Sequence, residues 1–130
     1  MHNLSAIFIF TRDRPITLNN TLDSLLRVPY KKYVIDDSAL ANNQLLVSEI
    51  CKKHPNIKYL GKKEFHQFII HHKIVFPLFS FLLQMPGCDE WNLGYVRNFA
   101  LIFSKSLGVT KVLFMDDDIH VENANLIEEL

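Results

Sequence analysis

The chain has 130 residues, 48% of them hydrophobic, and its fourteen basic residues balance fourteen acidic ones to a formal net charge of zero. One domain's worth of chain with a substantial core fits these figures, while the neutral balance lacks the field that draws nucleic acid or anionic lipid and so argues against nucleic acid as a partner. Cys51 and Cys88 stand far apart with no CxxC spacing. They read as reduced thiols rather than as a disulfide or zinc framework. MHNLSAIFIFTRDRP carries only a short apolar run and no basic leader, so the expectation is a cytoplasmic protein without a signal peptide.

Periodicity divides the chain. AIFIF (6–10) is a continuous apolar run of β-branched and aromatic residues stopped by Thr11-Arg12-Asp13-Arg14, the pattern of a strand buried on both faces. Pro15 suits a first helical turn, and Leu18, Leu22, Leu25 and Leu26 follow as a stripe to bury. Tyr33-Val34-Ile35 predicts a second strand ending at Asp36-Asp37-Ser38, and Leu45, Leu46, Ile50 and Cys51 mark an amphipathic helix that stops before Pro55. Residues 56–60 form a third predicted strand. Leu93, Val96, Ala100, Phe103 and Leu107 keep helical spacing up to Gly108, a C-terminal stop, before a fourth strand over 111–115.

Strands alternating with helices at short spacing predict an α/β fold, a doubly wound and mainly parallel sheet in a single domain. Ligands of such sheets sit beyond the carboxyl ends of the strands, where Thr11 to Arg14, Asp36 to Ser38 and Asp116 to Asp118 all fall. Three adjacent carboxylates at the end of an apolar strand need compensation, and a divalent cation supplies it. In an extended segment Asp116 and Asp118 face one way and Asp117 the other, so the first and third can share an ion. Oxygen ligands suit Mg²⁺ or Mn²⁺, which complete their shells with water and substrate phosphate. His120 continues the alternation but reads as a surface residue.

These stretches carry a resemblance. IFIFTRDRPITLNNTLDSLL, VIDDS, NLGYVRNFAL and VLFMDDDIHV resemble, in order, the first strand and turn, the paired aspartates, the Gly-x-x-x-Arg-Asn helix start and the D-x-D motif of family-two glycosyltransferases with the GT-A fold. The resemblance implies a nucleotide-diphospho-sugar as ligand, of the UDP type, with Mn²⁺ or Mg²⁺ as cofactor. It implies that Thr11 and Arg14 line the nucleotide pocket and that Asp37, or less readily Asp36, accepts the N3 hydrogen of the base. Arg97 then meets the base or diphosphate, Asp116 holds the ribose or shares the metal, and Asp118 ligates the metal.

Departures from the family pattern shape the expectation. Ser38 follows Asp37 directly, without the usual intervening Gly. Residues 62–90 form an apolar insertion whose run IVFPLFSFLL is too short to cross a bilayer and contains Pro77, expected as a buried or partner-covered helical segment rather than a membrane-surface one. His66, His71 and His72 lie beside it without the spacing of a metal site. Little chain follows Asp118, so the fold is expected to stop before the family's acceptor half, and no residue is identified as general base. The expected function is metal-dependent binding of a UDP-type sugar nucleotide for glycosyl transfer. The alternative is a non-catalytic nucleotide-sugar-binding or assembly module that needs a partner chain or a second copy.

Overall fold

The computed structural model describes residues 5–72 and 93–123. Four strands, β1 (Ser5–Thr11), β2 (Lys31–Asp36), β3 (Ile57–Leu60) and β4 (Lys111–Asp116), form one sheet in the order β3-β2-β1-β4. Every pairing is parallel. Among the described residues four helices, α1 (Pro15–Ser24), α2 (Ala41–Lys53), α3 (Lys62–His72) and α4 (Leu93–Leu107), cover it. The doubly wound α/β architecture expected from the alternation is therefore the one observed.

β1 lies at the centre because its side chains are apolar on both faces. Ala6, Phe8 and Phe10 point into a core shared with Tyr33, Ile35, Phe65, Phe68, Val96, Phe99 and Phe103, so α3 and α4 cover that side. Ile7 and Ile9 point the other way, onto Leu18, Leu22, Val34, Val47 and Cys51 beneath α1 and α2. The α3–α4 side is unusually aromatic. Phe8 stacks on Tyr33 with ring centroids 5.1 Å apart and meets Phe103 and Phe114 edge-on. Such edge and offset contacts add to the area buried and fix the seating of α4 across the sheet.

Helix starts and stops follow local chemistry. Pro15 occupies the first turn of α1, where its missing N–H costs nothing. Gly108 adopts φ +75° after α4, the left-handed stop open to glycine. α2 has no cap from its own Leu40. Asp13, on the loop after β1, supplies it instead: its carboxylate accepts from the N–H groups of Ala39 (3.3 Å) and Leu40 (3.2 Å) and from Asn43 Nδ2 (3.2 Å). Asp13 takes φ +53° to do so, a conformation Asp tolerates better than most residues.

Three apolar stripes differ from expectation, and in α4 it is the last residue, Leu107, that is exposed. Leu26 is exposed because α1 ends at Ser24 and leaves Leu25 as the last buried residue of the stripe. Leu45 and Leu46 are exposed too, and α2 turns Val47 and Cys51 inward. In the expected insertion, the first part is α3, whose Phe65 and Phe68 belong to the core. The remainder, with the apolar run at 74–83, lies outside the described residues. Among the described residues no helix is long and apolar enough to cross a membrane.

Candidate functional site

The chain runs from β1 outward to β2 and β3, then crosses back so that β4 pairs with the opposite edge of β1. The gap beyond the carboxyl ends of β1 and β4 is thus a topological switch point, where sheets of this kind leave room for a ligand. A cleft of about 400 Å³ opens there. β1 and its loop contribute Phe10, Thr11, Arg12 and Arg14, the end of β2 contributes Asp37, β4 contributes Asp116, and α4 contributes Arg97. A cavity of about 500 Å³ at the other end of β1 and β4 is walled by Ser5, Ala6, Ile7, Val112 and Leu113 with Lys111, and gathers no comparable set of charges.

Of the residues expected at a nucleotide site, the fold brings Thr11, Arg14, Asp37, Arg97 and Asp116 to this one cleft. Asp36 is not among its walls. It is 2% exposed, and its carboxylate accepts from the Ser38 N–H and the Tyr59 hydroxyl, both at 2.8 Å. Asp118 is exposed beside the cleft without lining it.

The loop after β2 is held without the missing glycine. The Asp37 N–H donates to the Thr11 carbonyl at 3.1 Å and prolongs the β1–β2 ladder. Ser38 Oγ accepts the Asp13 N–H at 2.7 Å. Asp37 is only 6% exposed. Burial pushes its carboxyl above the usual carboxylate range, opposed by the charge of Arg12, whose Nη1 stands 3.5 Å away.

The aspartate triplet departs from the strand expected of it. β4 ends at Asp116, paired with Phe10, and Asp117 and Asp118 form a turn. Side-chain partners pull the chain off the sheet. Asp117 is fully buried, its Oδ2 accepting from Thr11 Oγ1 at 2.8 Å and Arg14 Nε at 3.1 Å while Oδ1 takes Arg14 Nη2. Its main-chain carbonyl accepts the Thr21 hydroxyl. Asp116 and Asp118 are left exposed on either side, without hydrogen bonds or ion pairs among the described residues.

Among the described residues no group of three or more His, Cys, Asp or Glu side chains could hold a metal ion. The two exposed carboxylates, Asp116 and Asp118, are fewer than a cage built by protein alone would need. His120 is exposed. Arg97 Cζ lies 5.7 Å from the centroid of the Phe10 ring, a cation–π contact that orients the guanidinium across the cleft.

The sequence did not single out Asp13 or Asp117. Asp13 matters through contacts with a loop distant along the chain, and Asp117, which alternation turns away from Asp116 and Asp118, finds its partners about a hundred residues earlier. No family profile matches the sequence, no curated protein is significantly similar to it, and no solved structure matches its fold.

Proposed function

We propose that this chain is the donor-binding unit of a glycosyltransferase, taking a UDP-type sugar nucleotide together with Mn²⁺ or Mg²⁺. One observation carries the reading: a cleft lined by Arg12, Arg14, Arg97 and the free carboxylate of Asp116 opens at the switch point of a parallel sheet. Asp37 accepts the imide N–H of the base, which cytosine lacks at N3. Thr11 lines the pocket, while Arg14 and Arg97 face the diphosphate. Asp116 and Asp118 would hold the cation, which when bound neutralises phosphate charge. On transfer, the bond from the sugar C1 to the diphosphate breaks, a bond from C1 to the acceptor oxygen forms, and the acceptor's hydroxyl proton passes to the departing diphosphate or to water. The guanidinium groups stabilise the charge that develops on the departing nucleotide.

The cleft favours a second reading of the same site. Its carboxylates are Asp37 and Asp116, both engaged in donor binding, so none of the described lining residues is left to deprotonate an acceptor. A module that binds the sugar nucleotide without turning it over accounts for this. Calorimetry of UDP with and without Mn²⁺, on the wild type and on Asp118→Asn, tests the common claim. Metal-enhanced binding lost in the variant is expected, and binding indifferent to metal in both proteins would contradict it. Release of free sugar from a UDP-sugar in the same buffer separates turnover from binding alone.

A further inference from the structure

We infer that Asp117, the middle aspartate, is a positioning residue that acts through Arg14 to present a pre-oriented guanidinium to the diphosphate, an inference that rests on the nucleotide reading above. Asp117 has no exposed surface, and a fully buried carboxylate is tolerated only with its partners in place. It has them: Thr11 Oγ1 and Arg14 Nε on one oxygen, Arg14 Nη2 on the other. The pairing is side-on, through the Nε edge of the fork, so the outer N–H groups of Arg14 remain for another acceptor. Arg14 is half-exposed and lines the cleft, so those groups face the space a ligand would fill.

The same residue ties three elements together. Its side chain grips the loop after β1, and its carbonyl takes the hydroxyl of Thr21 on α1. Asp116 and Asp118 are its immediate neighbours, so the latch that orients Arg14 also sets where the two free carboxylates stand. A rigid planar fork held in advance loses less freedom on meeting phosphate than a mobile cation does. Lysine in place of Arg14 would keep the charge and lose the fork.

Diphosphate and base contributions can be separated by titrating UDP and uridine, each with excess Mn²⁺, into the wild type, Asp117→Asn, Arg14→Lys and the double variant. Asp117→Asn should weaken UDP roughly tenfold or more while uridine changes less than about twofold. Arg14→Lys should give the same UDP-selective loss, and Asp117→Asn should add little to it, because the two residues act as one unit. If Asp117→Asn does not fold, Arg14→Lys alone decides, since its surface-facing end can be changed without burying a new group. Equal losses for uridine and UDP, additive losses in the double variant, or unchanged UDP binding would overturn the positioning role. A wild type that binds neither ligand overturns the nucleotide reading itself, and this inference with it.

Discussion

Tyr59→Phe removes one hydroxyl and tests how the base-reading loop is held. That hydroxyl donates to Asp36 Oδ2 at 2.8 Å, and the other oxygen of the carboxylate holds the Ser38 N–H. Burial and the neighbouring Asp36 carboxylate push the Tyr59 phenol far above its ordinary value, so it is a donor throughout the working pH range. A hydrogen bond to a charged group contributes about 1.5–3 kcal/mol, and losing it leaves a buried acceptor unmet. Tyr59 is itself half-buried, so water reaching the gap places the loss near the low end, about 1.5–2 kcal/mol. In a chain of this size that is a fall in Tm of roughly 5–10 °C. UDP binding should weaken as well, since the loop carries Asp37. Gly61 supplies an independent perturbation: a Cβ there would stand 2.9 Å from the Tyr59 hydroxyl and 3.2 Å from Glu64 Oε2. Gly61→Ala should therefore displace the phenol and reproduce the effect. Thermal melts by circular dichroism measure both variants. A Tyr59→Phe Tm within about 1 °C of wild type would show that Asp36 does not depend on this bond.

Three further outcomes follow from the same geometry. Because burial raises the Asp37 carboxyl in the folded state, its contribution to stability is fully present below the unfolded pKa and is lost as pH rises through the folded value. Asp37→Asn should thus gain stability over wild type at neutral pH and lose that advantage in acid, while binding UDP more weakly; melts at pH 7 and pH 4 would show no crossover if the carboxylate carried no burial penalty. The Cys51 thiol, pushed up to about 12 by burial, should resist thiol reagents in the native protein and react on unfolding, measured in a Cys88→Ser background; rapid native labelling at pH 8 would refute its seating in the core. Phe99→Ala, which deletes a ring fully buried against Phe65, Phe68 and Phe103, should cost about 3–5 kcal/mol in a urea titration; a loss below about 1 kcal/mol would mean that α4 is not seated on the sheet as described.

How far sequence reasoning reached depends on whether a feature was local. β1, α4 and β4 were legible as elements because their apolar residues are continuous or periodic, although Leu107 of α4 and Val112 of β4 end exposed. α2 was legible as a helix but not in its facing: Leu45, Leu46, Val47, Ile50 and Cys51 offer two overlapping stripes, and contact with β3 and α1 decides for Val47 and Cys51. Convergence of Thr11, Asp37 and Asp116 was readable because every strand of a parallel sheet ends on the same side. The turn at Asp117 was not, since it depends on Thr11, Arg14 and Thr21, all about a hundred residues earlier in the chain. Asp13 was hidden for the same reason, being the cap of a helix to which it does not belong.

Paramagnetic broadening by Mn²⁺ tests the central claim most directly, because it reports where the ion sits independently of any activity. With UDP present, substoichiometric Mn²⁺ should erase the amide resonances of residues 116–118 first and then those of 11–14 and 36–38, across the cleft. Broadening that leaves these three loops sharp, or that centres on another face of the sheet, would contradict the account.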